Sequence, residues 1–493
     1  MRSLLFSRYV AFEMVFIHEN GGKNGFNYSS EVLIIRKSKE KTDYMPGRNG
    51  TQVGANLTNV IDNGDGQLLP TLYYQIHNST GLDYESLGYI TGVRSLLQSL
   101  TTPLWGLWSD RHSRKNLLAF GCFLWGIFTL LNGFGSTFVY MITIRLFTGI
   151  SLAIIVPTTQ SLLSDYFPPD KRGKAFGWLG LTGVVGVVFG TIYATLLVTI
   201  DTDLDAWRWV FITWGIISFV IAGLVLVLVK EPVRGGVEPE LANLLASKKI
   251  KEPRAKFKSY VKIFTNGTFW LIVAQGVSGS IPWNGILFMV TWFQYMGFDA
   301  LTSGLMFAII AIGSALGNLI GGVLGDRAEK WRPNSGRIII CQISVASGIP
   351  LLFVIFFLIP MSTASLVSYL ILGFITGIFI SWCGPQNTTI FSQIFEPEIR
   401  SMVYSVDRLF EGSAAALGTV LVTLVATSYG LSDTASNVVN ANALAWGMFL
   451  VALIPWIICL IVYTLVYLTY PKDIAKARAI IKAQAEEAEA KSE

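Results

Sequence analysis

A charged turn, Gly-x-x-x-Asp-Arg, occurs twice in this chain, and each copy joins two long apolar runs. The first reads Gly106-Leu-Trp-Ser-Asp110-Arg111 and continues to Arg114 and Lys115; the second reads Gly322-Val-Leu-Gly-Asp326-Arg327. A duplicated charged loop between apolar segments calls for a fold assembled from two related halves. Runs of about 20 apolar residues, enough to cross a bilayer as helix, recur at 86–108, 116–136, 139–163, 174–200, 207–230, 267–293, 300–325, 336–359, 363–385, 402–427 and 441–470.

Only 14% of the 493 residues are charged and 52% are hydrophobic, which excludes a soluble multidomain enzyme. The charge is one-sided. Arg111, Arg114 and Lys115, then Lys171, Arg172 and Lys174, then the long connection 230–266, then Arg327, Lys330, Arg332 and Arg337 fall in alternate connections. The intervening ones, near 133–139, 200–206, 295–302, 360–364 and 428–440, hold no Lys or Arg. The positive-inside rule therefore places the basic set, and both termini, in the cytoplasm of a multi-pass protein embedded in a lipid bilayer. Basic clusters that only flank spans predict no nucleic-acid partner. There is no P-loop for a nucleotide, the three histidines (His18, His77, His112) lack metal-ligand spacing, and no nucleophile–base set appears, so neither enzyme, metal nor cofactor is expected. Cys122, Cys341, Cys383 and Cys459 all fall in or beside spans and read as free packing thiols.

A basic first loop on the inside requires one span before 86–108. The candidate, about 55–76, carries Asp62, Asp65, Gly66 and Pro70 and is polar at its start. Either this helix is polar and stabilised inside the bundle, or an apolar half upstream is missing; the second is the expectation. Residues 1–54 form an N-terminal cytoplasmic segment expected to lack order.

The duplication extends beyond the turns. Phe167-Pro-Pro-Asp-Lys-Arg172-Gly before the fifth span parallels Phe395-Glu-Pro-Glu-Ile-Arg400-Ser before the eleventh. The first span of each half is also interrupted, by Gly66 and Pro70 in one and Gly279, Pro282 and Gly285 in the other. Matching interruptions point to a binding site at the repeat interface. The expected organisation is an all-α membrane protein of twelve spans: a six-helix half at 55–230, a basic linker at 231–266, a second six-helix half at 267–470, and a cytoplasmic tail at 471–493.

Over residues 55–470 these landmarks resemble the major facilitator superfamily. Gly106–Lys115 is similar to its loop between helices 2 and 3, with Trp108 and Ser113 departing from the usual Leu and Gly. Glu231-Pro-Val-Arg234-Gly resembles the Spinster-like branch. The stretches Arg145–Leu162, Ala175–Gly183, Pro333–Ser344 and Asp407–Glu411 resemble uncharacterised plant and protist members near that branch. Spinster proteins carry a Glu in the fourth helix where this chain has Leu152, after Ser151 in place of Gly. The resemblance implies the major facilitator fold and alternating access, and places a cavity arginine at Arg145.

Ionisable residues inside spans are functional candidates because burying them is costly. Asp62, Asp65, Arg94, Gln98, Arg145 and Gln160 are the cavity candidates: the arginines for an anionic group, either aspartate for a coupled proton. Permanent pairing of Arg94 with Asp65 is the structural alternative. Gly106, Asp110, Arg111, Arg114, Arg172, Asp326, Arg327, Arg400, Asp407, Arg408 and Glu411 are candidates for a cytoplasmic gate, with Asp110 capping the start of the eleventh helix. The expected function is secondary transport of a small organic or amphipathic solute by a monomer, with protons as a possible partner. A Spinster-type lysolipid transporter and a non-transporting receptor or scaffold are the alternatives.

Overall fold

The structure is a computed structural model that describes residues 47–200, 205–238, 241, 255, 257–415, 417–432 and 434–490. Residues 1–46, most of the segment expected to lack order, lie outside them. The described residues are helical, with no strand among them.

Twelve helical rods follow in order: α1 (Arg48–Thr71), α2 (Tyr84–Arg111), α3 (Arg114–Asn132), α4 (Phe138–Tyr166), α5 (Arg172–Thr199), α6 (Ala206–Leu228), α7 (Gly267–Tyr295), α8 (Leu301–Trp331), α9 (Gly336–Leu358), α10 (Thr363–Ile394), α11 (Pro397–Ser428) and α12 (Asn437–Ala490). Ten of them, α3 to α12, are long and apolar enough to cross a membrane. α1 and α2 are as long but more polar, and α1 is prolonged by a short helix, Tyr73–Thr80. α12 runs unbroken to Ala490, so the tail is its last part and not a separate helix.

Each half owns an apolar core. In the first, Trp125, Trp207, Phe211 and Trp214 are buried together; in the second, Trp292, Phe293, Phe356 and Tyr369 are. Trp292 meets Phe356 and Tyr369 edge-on, with ring centroids 5.0 and 5.6 Å away. Two separate cores allow each half to move as a unit, because tightly packed interiors deform little.

The polar first helix forms because its bundle meets its polar groups. Asp65 is fully buried and its carboxylate accepts from Arg94 Nε (2.8 Å), Arg145 Nη1 (3.1 Å), Trp125 Nε1 (3.3 Å) and Thr129 Oγ1 (3.3 Å). Six residues earlier, nearly two turns, Asn59 donates to the Leu179 carbonyl at 2.6 Å. Polarity that opposes insertion of an isolated helix thus becomes its attachment to α2, α3, α4 and α5.

The interrupted first spans appear where expected: α1 ends shortly after Pro70, and α7 passes through a 3-10 turn at Ile286–Phe288 after Pro282. The structure adds a second matched pair. α4 is broken between Leu152 and Ile155, and α10 between Ile380 and Cys383.

Replacing Asp65 by Ala strands the buried Arg145 guanidinium and leaves Arg94 with Asp62 alone. A loss of about 3–5 kcal/mol is expected, read as a large drop in the thermal midpoint of the purified protein, whereas Asp65→Asn retains part of the bonding and falls between.

Candidate functional site

A latch closes one end of the molecule, and its parts are the duplicated turns. At the end of α2, the Asp110 carboxylate accepts from the backbone N–H groups of Ser401 and Met402, both at 3.1 Å, at the start of α11. At the end of α8, Asp326 accepts from Gly173 N (3.0 Å) and Lys174 N (2.9 Å) at the start of α5. Each half therefore caps a helix of the other. The first N–H groups of a helix lack intrahelical acceptors and carry partial positive charge, so a carboxylate there satisfies both. Glycine makes the approach possible: a Cβ on Gly106 would stand 2.8 Å from Ser405 Cβ and 3.0 Å from the Ser401 carbonyl. On Gly322 it would run into the Gly173 carbonyl.

Behind the caps lies a buried charge network. Arg114 donates to Asp165 (2.6 Å) and Glu231 (2.8 Å), and Arg400 reaches Asp165 at 3.3 Å. Glu238, in the connection after α6, accepts from Arg172 of the first half and Arg400 of the second, each at 2.6 Å. Burial alone would push the Glu238 carboxyl up, but the two guanidinium groups outweigh it and hold the group down at about 2. Arg234 donates to the carbonyls of Ser109 (2.6 Å), Asp110 (2.5 Å) and His112 (3.0 Å), fixing the connection to the end of α2. Asp165 and Glu238 were not among the residues singled out in the sequence, and Arg234 entered there only within the Glu231–Gly235 stretch. Asp165 and Glu238 stand out there only as isolated acids near basic connections. Arg111 lies over the Tyr260 ring at 6.0 Å, and Arg327 is exposed at the same end.

Between the halves lies a cavity of about 510 Å³. A second chamber of about 350 Å³ shares Asp62, Asn63, Arg408 and Glu411 with it and reaches toward the latch past Gln160 and Asp407. From the first half, Asp62 accepts from Arg94 Nη2 and Gln98 Nε2, both at 3.2 Å. Asp65 and Arg145 stand behind this wall, bonded to each other, and Arg145 also covers the Phe211 ring at 5.0 Å. Arg94 pairs with both aspartates.

The second half contributes Asp407, Arg408 and Glu411 from α11, so this cluster lines the chambers and sits deeper than the latch. Arg408 is exposed to the cavity and, among the described residues, makes no hydrogen bond or ion pair, although Asp62, Asp407 and Glu411 are within electrostatic reach. One oxygen of Asp407 is buried with no hydrogen-bond partner. Trp283, Val345, Ile380 and Trp456 give the same cavity an apolar side.

Two six-helix halves with separate cores, closed at one end by reciprocal helix caps around a charged central cavity, define a solute transporter of the alternating-access class. Residues 57–353 match the Major Facilitator Superfamily, and the chain belongs to that family of secondary transporters. The solved structure of the proton:xylose symporter XylE superposes with a TM-score of 0.63 at 16% identity, covering 83% of this chain and 95% of that one. A bacterial homologue of the human lysosomal transporter Spinster, inward-facing and occupied, gives 0.59 at 19% identity, covering 87% and 99%. In sequence, the probable L-galactonate transporter of Escherichia coli K12 is 25% identical over 324 residues, 64% of this chain and 69% of that protein. Protein spinster of Drosophila melanogaster is 26% identical over 301 residues, 60% of this chain and 48% of that protein, so the match spans about half its length.

Glu238→Gln removes the charge from two hydrogen bonds, each worth about 1.5–3 kcal/mol to a charged group. The latched population is expected to fall at least about tenfold, read by spin-label distances across α2 and α11. Because the folded carboxyl sits near 2, below its ordinary 4.5, its contribution is complete above that ordinary value and is lost as pH falls toward 2. The wild-type distances should therefore not change through Glu238 between about pH 5 and 8.

Proposed function

We propose that the protein carries a small organic anion of the sugar-acid kind together with a proton, works as a monomer, and has its basic, latched end and both termini in the cytoplasm. The observation that carries this reading is Arg408, a guanidinium group at the wall of a membrane-embedded cavity with no partner among the described residues. A guanidinium group that faces the cavity in this way is poised for a carboxylate, which it can hold with two parallel hydrogen bonds. Gln98, Gln275 and Asn284 line the same space and suit hydroxyl groups. Similarity to the L-galactonate transporter, and to a D-galactonate transporter that is 27% identical over 302 residues, supports the same substrate class.

Charge balance supports the proton. In the first half Asp62 and Asp65 face Arg94 and Arg145, so that wall is neutral. On α11 two carboxylates, Asp407 and Glu411, share one cation, Arg408. An anion that occupies Arg408 leaves both carboxylates uncompensated in a low-dielectric space. Solute binding therefore draws a proton onto the Asp407–Glu411 pair, so that the loaded cavity returns to the net charge it has when empty before it reorients.

A second reading, a lysolipid-like amphiphile, has its own support in the apolar side formed by Trp283, Val345, Ile380 and Trp456 and in the similarity to spinster.

Uptake of labelled galactonate and of lysophosphatidylcholine into proteoliposomes, with and without an inward proton gradient, separates the two. Gradient-dependent galactonate uptake that falls about 10–150-fold in Arg408→Ala, the loss of one charge-assisted contact, is the expected result. Lysolipid flux without anion uptake would replace it with the second reading, and anion uptake indifferent to Arg408→Ala would remove Arg408 from the site.

A further inference from the structure

A second pocket, of about 490 Å³, lies at the latched end, away from the central cavity. Its walls come from the start of α1, the α4–α5 connection, α5 and α8, and they hold five basic side chains: Arg48, Lys171, Lys174, Arg327 and Lys330. Both carboxylates in the wall are already engaged. Asp326 caps α5 and accepts from Arg337 at 2.7 Å, and Asp170 pairs with Lys330 at 3.1 Å. The pocket is therefore strongly positive; of its wall, Asp326 and the Lys174 backbone N–H also belong to the latch, while the five basic side chains take no part in the caps.

Its surroundings indicate what kind of anion it takes. Trp178 of α5 lines the pocket and is 39% exposed. Val185, Phe189, Ile192 and Leu196 follow on the same face of α5 at helical spacing, all exposed. On α8 the lining residue Val323 continues into exposed Leu316, Ile312 and Leu305 by the same spacing. The opposite face of α5, at Gly180, Gly183 and Val187, borders the central chamber, so the exposed stripes belong to the lipid side. A basic pocket at the head of two apolar tracks matches an acidic headgroup followed by acyl chains.

We propose that this pocket binds the phosphate of an anionic lipid headgroup, with the acyl chains lying along α5 and α8. Lys174 belongs to the first half and Arg327 to the second, and α5 and α8 meet there, with Gly322 against Gly173. A phosphate held by both cations spans the seam between the halves, and its occupancy favours the latched state.

The test is a native mass-spectrometry titration of the full-length protein with phosphatidylglycerol, repeated with phosphatidylcholine and with inorganic phosphate. Wild type should bind phosphatidylglycerol in preference to phosphatidylcholine. Apparent affinity should fall about fivefold for each of Lys174→Gln and Arg327→Gln, the effect of one cation near a membrane surface, while the charge-preserving exchange Lys174→Arg with Arg327→Lys keeps it. Lys472→Gln with Lys476→Gln removes two charges from exposed positions on α12, more than either pocket variant, and should change little. An equal loss in that control would reduce the effect to diffuse surface charge and overturn the site. Displacement of phosphatidylglycerol by millimolar inorganic phosphate, with no preference for the lipid, would overturn the lipid assignment in favour of a soluble phosphate.

Discussion

The molecule depends on two carboxylates that each finish a helix they do not belong to. Asp110 completes the start of α11, and Asp326 completes the start of α5. A cap of this kind is worth about 0.5–2 kcal/mol, small against the stability of either half but comparable with the free-energy differences that set conformational populations. Because the caps are reciprocal, neither half is complete at this end without the other. The glycines, the buried arginines and the folded part of the linker all serve to bring these two pairs of groups within bonding distance and keep water out.

Strength at the latch contrasts with the character of the seam above it. Apolar cores bind helices within each half, while the surfaces that face across the central cavity are polar: Asp62, Gln98 and Arg94 on one side, Gln275, Arg408 and Glu411 on the other. A hydrophobic seam would seal the halves together. A polar one lets them separate at little cost once the caps release, which is what moving a solute between two sides requires.

Much of this was legible in the sequence. Length, apolar runs and loop charge located the ten apolar helices α3 to α12 together with the more polar α2, and the repeated turn placed the halves, because bilayer thickness and backbone satisfaction leave few alternatives. The eleventh helix, with its start after Arg400, was the expected capping partner of Asp110, and Ser401 and Met402 are the residues it caps. The first helix was harder: a composition rule weighs Asp62 and Asp65 as obstacles to insertion, whereas the fold supplies Arg94, Arg145, Trp125 and Thr129 as partners from three other helices. The breaks in α4 and α10 fall at Ala153 and Ser381, each four residues before a proline, Pro157 and Pro385, whose ring clashes with that carbonyl, so a local signal marks both. Asp407, Arg408 and Glu411 were read as a gate because distance from a helix start is visible in sequence, while the depth of the closing contact is not. Glu238 sits in a connection rich in lysine, and only the three-dimensional meeting of Arg172 and Arg400 gives it meaning.

That glutamate is joined by a short stretch of chain to the end of α6, and it cannot diffuse away when the halves part. It behaves as an intramolecular ligand whose effective concentration, of millimolar order for a short tether, is fixed by covalent connection and not by any cellular supply. Each reclosure therefore finds its third component already in place, and the length of the connection between Leu228 and Glu238 sets how readily the transporter returns to rest.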